Sequence, residues 1–374
     1  MNASLSVWLD LCRVIAALAV FIGHSQVLGL APPWVAAHWH RTAEDAVVAF
    51  FVLSGYVIAW STDRPTATIR DYFEARASRI YSVAIPAVLF ALALDGIGMR
   101  LDASHYAPDW QYPKLWLHLP LHWLFLGGTW VGPMDPFSMK SYWSLPYEVW
   151  YYILFGCTTL LRGRARVVGI VLTLGIMGPR MWLLLPCWWL GVLLYRHRSN
   201  LVLPSSAAPI LMLGSSLLYL AFVASDGRLA VDRLSRGLYA WFDTWLPAPF
   251  VPGGTVHALT DHVVALLFGS FLIGCASSAR RFGADTASVI RGLANYSFSF
   301  YLIHFSLLVL FAAAGWSNPD SLAYVAIIGA TFGLTWVLGQ VGEVRRHVYR
   351  RAISKLIDSI LALRSRREPK HSRS

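Results

Sequence analysis

The chain has few charged residues and few cysteines. Only 14% of its 374 residues are Asp, Glu, Lys or Arg, whereas 56% are hydrophobic, a composition outside the range of soluble globular domains. The cysteines all lie in apolar segments and lack the close spacing of metal ligands: Cys12, Cys157, Cys187 and Cys275. The sequence therefore predicts a membrane protein with several spans, and neither a disulfide framework nor a metal site.

Signals of processing, of a soluble domain and of internal repetition are also missing. No Lys or Arg precedes the first apolar run and no small-residue cleavage site follows it. We therefore expect no cleavable signal peptide, and we expect the run to remain as the first span. No stretch is long enough for an independent soluble domain. No internal repeat is evident, which disfavours a transporter built from inverted halves.

Acidic residues are outnumbered by basic ones. The chain has 31 Lys and Arg against 20 Asp and Glu, which gives a net charge of +11. Much of the excess lies in short loops and in a basic C-terminal tail. Membrane topology and contact with anionic lipid account for such a distribution. We therefore expect membrane lipids as partners and no nucleic acid.

Ten apolar runs are long enough, or nearly long enough, to cross a bilayer. They are residues 6–29, 44–61, 80–98, 142–161, 166–179, 181–195, 207–224, 259–279, 293–314 and 320–342. With the N terminus inside, the inner loops and tail carry more Lys and Arg than the outer loops, as the positive-inside rule requires. The sequence thus predicts an all-α bundle of about ten transmembrane helices, with both termini in the cytoplasm.

Two regions differ from ordinary spans. The run from Lys114 to Leu126 is too short to span and is broken by Pro120, so we interpret it as a re-entrant or interfacial segment. The stretch from Val344 to Leu363 has the pattern of a basic amphipathic helix on the inner leaflet, and the last ten residues read as disordered. We therefore divide the chain into a membrane domain, 1–342, and a cytoplasmic tail, 343–374.

A cation and an imidazole share one face of the first apolar run. Arg13 and His24 are almost three helical turns apart, so both lie on one stripe, about 16 Å from each other. A charged side chain inside a bilayer costs roughly 2.5–3.5 kcal/mol, so an intramembrane Arg indicates a partner or a function. The alternative is an Arg that reaches the inner interface and a His bonded to a backbone carbonyl.

Two further sites carry groups suited to chemistry. Arg76 and Arg79 are neighbours on one helical face, and paired guanidiniums suit phosphate; positive-inside anchoring is the alternative. Glu148 lies about one and a half turns into the fourth span, at a depth compatible with His24. A carboxylate there is expected to pair, and a His held by a carboxylate can serve as a general base for a hydroxyl.

These residues belong to five motifs through which the chain resembles the acyltransferase-3 family of bacterial membrane O-acyltransferases. The motifs are Leu9-Asp10-Leu-Cys-Arg13 with a ten-residue gap to His24, Phe50-Phe51-Val-Leu-Ser54-Gly55-Tyr56, Arg76-x-x-Arg79, Trp143-Ser144-x-x-x-Glu148 and Ser297-Phe-Ser-Phe-Tyr301-Leu-Ile-His304. The chain departs from the family at Val48, where a polar or acidic residue is frequent, and at Ser306, where many members have Pro.

The resemblance implies transfer of an acyl group, often acetyl from acetyl-CoA, to a hydroxyl of a surface or lipid-linked glycan. It implies that His24 is the essential histidine with Arg13 its motif partner, and that Glu148 is the carboxylate of the fourth span. Arg76 and Arg79 are then linked to the donor, and acyl-CoA is a substrate rather than a permanently bound cofactor. The remaining motif residues are expected to line the site: Ser54, Tyr56, Trp143, Ser144, Tyr301 and His304. The bacterial cytoplasmic membrane is the expected location.

Other readings of single features remain open. Glu44 and Asp45 resemble the acidic pair of glycosyltransferases that use polyprenyl-linked sugars, and that hypothesis requires both to be essential while Arg76 and Arg79 are dispensable. His118 and His122 have the spacing of two metal ligands on a helix, but no third ligand is evident. A glycan transporter would instead move its substrate without consuming acyl-CoA.

Overall fold

The computed structural model describes residues 3–36, 42–63, 68–110, 114–130, 135–243, 257–278, 280–317 and 319–367. Its α-helices, numbered α1 to α15 in chain order, are Ala3–Val27, Pro33–Ala36, Thr42–Thr62, Ile69–Leu101, Leu115–Trp123, Ser144–Leu160, Gly163–Met177, Pro179–Arg196, Ala207–Ala224, Gly227–Asp243, Ala258–Ser277, Ala284–Ala294, Ser297–Ala313, Ser321–Val341 and Arg346–Arg367. Three short 3₁₀ helices are Ala103–His105, Pro108–Trp110 and Lys140–Trp143. The described residues contain no strand, which confirms the all-helical prediction.

Within the described residues, six helices are long and apolar enough to cross a membrane, and the number rises to as many as eight if each of two bent helix pairs counts as one span. One bent pair is α7 with α8, which meet at 118°. The bend lies at Gly178, whose φ of 79° is accessible mainly to glycine, and Pro179 begins the next helix. The chain is thus a multi-pass helical protein, while about ten spans and cytoplasmic termini stay predictions.

The centre of the bundle is built from α1, α3, α4, α6, α8 and α13. Helix α3 packs against α1 and α8, and α13 packs against α1 and α4. These helices are apolar on several sides, so their buried faces form one continuous hydrophobic core with aromatic residues at its middle, such as Tyr151, Phe155 and Trp188. Most of the motif residues lie on these same helices, whereas Trp143 ends the 3₁₀ helix Lys140–Trp143.

Two glycines allow α3 and α8 to approach backbone to backbone. A Cβ atom on Gly55 would overlap the carbonyl oxygen of Trp188, and a Cβ on Gly191 would overlap the carbonyl oxygen of Val52. Small residues at such crossings are typical of membrane helices that pack closely. The glycine of the Phe-Phe-Val-Leu-Ser-Gly-Tyr motif is therefore explained by packing.

Gly55→Ala should destabilise the protein markedly, because backbone atoms of α8 cannot move aside as a flexible side chain can. Overpacking of this kind typically costs about 1–3 kcal/mol. We expect a lower melting temperature for the purified variant in detergent. Gly329→Ala on α14 is the matched control, since a Cβ there meets nothing within 4 Å. Equal melting temperatures for the two variants would contradict the proposed crossing.

Two regions outside the central bundle follow their sequence patterns. Helix α5, Leu115–Trp123, has nine residues and is about 14 Å long, too short to span, as predicted for the segment broken by Pro120. Helix α15 covers most of the predicted amphipathic stretch and packs against α4. Residues 365–367 of the predicted disordered end continue α15, so that part of the prediction is wrong, and residues 368–374 lie outside the described residues.

Candidate functional site

A pair of histidines joins α1 to α13. His24 Nδ1 lies 2.8 Å from His304 Nε2, and the two rings stack with their centroids 5.1 Å apart. His24 lies in the last turn of α1, and His304 in the middle of α13. The pair therefore depends on the contact between two helices that are 280 residues apart in sequence.

Hydrogen bonding determines which nitrogen of His24 is free. His304 Nδ1 lies 3.0 Å from the carbonyl oxygen of Phe300. Because a carbonyl oxygen only accepts, this Nδ1 carries the proton, and Nε2 of a neutral His304 is then an acceptor. His24 must donate its Nδ1 proton to that acceptor. The remaining nitrogen of His24, Nε2, keeps its lone pair and can accept a proton from another molecule.

The two rings differ in exposure. His304 is fully buried, with Ser141 Oγ 3.5 Å from its Nε2, whereas His24 is half-buried. The ring of Phe305 stands edge-on to His24, with the centroids 5.0 Å apart. His304 is thus suited to hold its partner in place, and His24 is the member of the pair that a substrate can reach.

A cavity of about 70 Å³ lies on the Arg13 side of the histidine pair. Residues of α1, α3, α4, α6 and α13 line it, and seven of the predicted site residues are among them: Arg13, Ser54, Arg76, Arg79, Ser144, Glu148 and Tyr301. Three of these seven carry guanidinium groups and one carries a carboxylate. The charge of the lining groups therefore favours an anionic ligand.

The guanidiniums of the cavity are incompletely paired. Arg13 is bonded to Asp10 at 2.9 Å, which lies on the same helix. Arg76 donates to Ser61 Oγ at 3.3 Å, and its buried Nε has no hydrogen-bond partner among the described residues. The guanidinium of Arg79 lies over the ring of Phe298, 5.9 Å from its centroid. Unused donors in a basic cavity are the arrangement expected of a phosphate site.

Glu148 belongs to this cavity, and within the described residues it does not contact His24. Its carboxylate accepts hydrogen bonds from Ser54 Oγ, at 2.6 Å, and from the hydroxyl of Tyr152. The expected orienting contact with His24 is therefore wrong, and His304 takes that place. The pairing of Glu148 with His24 was predicted only from their similar depth in the membrane. The rotation of α6 about its axis decides which helix the Glu148 side chain contacts.

Tyr301 and Ser144 connect the cavity to the histidine pair. Their hydroxyl groups lie 2.7 Å apart, both residues line the cavity, and the ring of Tyr301 is 6.2 Å from that of His304. Trp143 and Tyr56 do not line the cavity. Trp143 packs edge-on against Phe51, and Tyr56 packs edge-on against Tyr195.

Sequence reasoning missed Tyr152 and Ser141. Tyr152 lines the cavity and lies one helical turn after Glu148, to which it is bonded. That spacing of four residues is a signal that could have identified it. Ser141 precedes the motif that contains Trp143 and Ser144, and only the position of α13 brings it near His304.

Glu44 and Asp45, which lie in the first turn of α3, have a structural partner. Arg228 on α10 is buried and forms ion pairs with Glu44, at 3.0 Å, and with Asp45. Asp45 also accepts a hydrogen bond from Tyr219 at 2.9 Å. These contacts tie α10 to α3 and account for both carboxylates. For His118 and His122, the described residues contain no group of three or more His, Cys, Asp or Glu that could hold a metal ion.

The chain is similar to known acyltransferases, and the match to one family model extends over nearly its whole length. A family model described as an acyltransferase domain matches residues 6–340, a range that contains all five motifs. An O-acetyl transferase of Shigella phage Sf6 is 25% identical over 178 residues, which are 42% of this chain and 48% of the phage protein. The chain thus matches about half the length of that relative. No solved structure matches the chain.

Proposed function

Because this chain belongs to the acyltransferase-3 family, we propose that it is a membrane O-acyltransferase that acts at the His24–His304 pair. Its donor is acetyl-CoA or another acyl-CoA, and its acceptor is a hydroxyl of a surface or lipid-linked glycan. The observation that carries this proposal is the chain of hydrogen bonds from Phe300 through His304 to His24, because it leaves a basic nitrogen on a half-buried imidazole.

The pair supports direct transfer as follows. His24 Nε2 takes the proton of the acceptor hydroxyl as its oxygen attacks the thioester carbonyl. The C–O bond forms and the C–S bond breaks, and the imidazolium returns the proton to the leaving thiolate. During this step the Nδ1–H of His24 stays bonded to His304, which fixes the ring and stabilises its positive charge. A route through an acyl-enzyme intermediate uses the same base.

We place the acyl donor in the basic cavity. Arg13, Arg76 and Arg79 would hold the phosphates of acyl-CoA, entering from the cytoplasm, and the pantetheine arm would extend toward Tyr301 and Ser144. The thioester would then arrive beside His304 and His24. In this arrangement the acceptor approaches His24 from the opposite end of α1, so donor and acceptor reach the base from two sides of a bacterial cytoplasmic membrane.

The glycosyltransferase alternative was based on Glu44 and Asp45 as an acidic catalytic pair. Both carboxylates form ion pairs with Arg228, and this structural role disfavours that alternative. The proposed function is tested by incubating membranes with acetyl-CoA labelled in the acetyl group and measuring label in the glycan fraction. Label should appear with the protein and be absent from membranes that lack it. If a range of acyl-CoAs gives no labelled product with correctly expressed protein, the acyl-transfer proposal is wrong.

Arg76→Gln and Arg79→Gln should each raise the KM for acetyl-CoA about 10- to 100-fold with little change in kcat. Each removes a charge-assisted hydrogen bond to phosphate, worth about 1.5–3 kcal/mol. Initial rates at varied acetyl-CoA give both constants. Arg100→Gln is the control, because this exposed arginine lies in the last turn of α4, at the opposite end of the helix from Arg76 and Arg79. A fall in kcat at unchanged KM would show that the two arginines do not bind the donor.

A further inference from the structure

The C-terminal helix α15 is held against the N-terminal part of α4 by polar contacts. Arg70 of α4 forms an ion pair with Asp358 at 2.7 Å and donates to Ser354 Oγ at 2.9 Å. Arg350 lies 3.6 Å from Glu74. The same part of α4 carries Arg76 and Arg79, so α15 lies next to the proposed donor site.

Arg346, the first residue of α15, contacts the turn of α4 that carries Arg76 and Arg79. Its Nη2 donates to the carbonyl oxygen of Ala75 at 2.7 Å, and its Nε lies 3.5 Å from Ser78 Oγ. Ala75 and Ser78 directly precede Arg76 and Arg79 in the chain. The Arg346 guanidinium is close enough to both arginines for like-charge repulsion, although it comes from a different helix.

The carboxylates in this region are engaged with other groups. Glu74 is paired with Arg70 and Arg350. Glu343 accepts a hydrogen bond from Ser299 Oγ at 2.8 Å. Among the described residues, no carboxylate forms an ion pair with Arg346. Like charges this close repel one another, and an anion that binds between them relieves the repulsion.

We propose that Arg346 is a fourth phosphate-binding residue of the donor site, so that α15 completes the site for acyl-CoA. This inference rests on the proposed function. The ligand chemistry is a phosphate group, and CoA carries both a pyrophosphate and a phosphate monoester. An Arg is suited to this role because its planar fork can bond two phosphate oxygens while one nitrogen remains on Ala75.

Binding of CoA to the full-length protein, purified in phosphatidylcholine nanodiscs and measured by calorimetry, tests the inference without requiring turnover. Arg346→Gln should weaken CoA binding at least about tenfold, the loss expected for one charge-assisted bond. Arg346→Lys, which keeps the charge but not the fork, should lose less. Arg345→Gln removes the same charge from the exposed neighbouring residue and should bind CoA as the wild type does.

Each outcome separates the hypotheses. If Arg346→Gln binds CoA as tightly as the wild type, Arg346 is not part of the donor site, while the proposed function stands. If the wild type itself does not bind CoA, the acyl-CoA donor is wrong and the inference falls with it. If Arg346→Gln binds CoA like the wild type in phosphatidylcholine and more weakly only in nanodiscs that contain phosphatidylglycerol, Arg346 acts through an anionic lipid headgroup and the proposal is overturned. Equal melting temperatures of the variants show that the substitutions leave the protein folded.

Discussion

Replacing His24 by alanine should lower kcat by about 10²–10⁴, the usual contribution of a general base. The variant keeps the cavity that contains Arg13, because His24 does not line it. The KM for acetyl-CoA should therefore change little. Transfer of labelled acetyl in membranes with matched amounts of protein measures the loss.

His105→Ala is the matched control for this prediction. His105 is an exposed histidine that follows α4, and its Nε2 lies 3.6 Å from the carboxylate of Asp102. We expect wild-type rates from it. An activity of His24→Ala within a few-fold of the wild type would rule out its role as the base, since no other described imidazole presents the same free nitrogen beside the cavity.

Replacing His304 by leucine should lower kcat on the order of 10² while the KM for acetyl-CoA is unchanged. Leucine fills much of the space but cannot accept the Nδ1–H of His24, so the imidazole loses both its preferred tautomer and the stabilisation of its charged form. His304→Gln retains an acceptor oxygen and should recover part of the rate. A residue with a merely structural role would not show this recovery.

The double variant His24→Ala/His304→Leu distinguishes positioning from independent catalysis. If His304 acts only through His24, the double variant should be no slower than His24→Ala alone, because residues that act as a unit are not additive. Multiplication of the two losses would contradict that role, and so would a wild-type rate for His304→Leu. Melting temperatures verify that each variant is folded.

The resemblance in sequence motifs identified most of the cavity. Arg13, Arg76, Arg79 and Glu148 come from three different helices, and all of them line it. Each stands in an apolar segment or next to one, where a charged group is costly and therefore indicates a function. The motif glycine, Gly55, was visible in the sequence as well, but its reason, the approach of α8, was not.

The pairing of the site residues could not be read from sequence. His24 was expected to meet Glu148, and it meets His304 instead. The partner of Glu44 and Asp45 is Arg228, from a helix more than 180 residues further along the chain. In both cases the sequence identified the ionisable group and its position along the membrane span. It did not predict the partner, because packing against neighbouring helices decides how each helix is rotated about its axis.

The sequence by itself determined the membrane class, the helical fold and the motif residues, because hydropathy and helical spacing are local properties of a chain. Only the tertiary structure decided that His304 holds His24, that Glu148 belongs to the basic cavity, and that Arg346 lies beside Arg76 and Arg79. These contacts join segments that are up to 280 residues apart. They depend on which faces of the helices meet, and that is settled by the packing of the whole bundle.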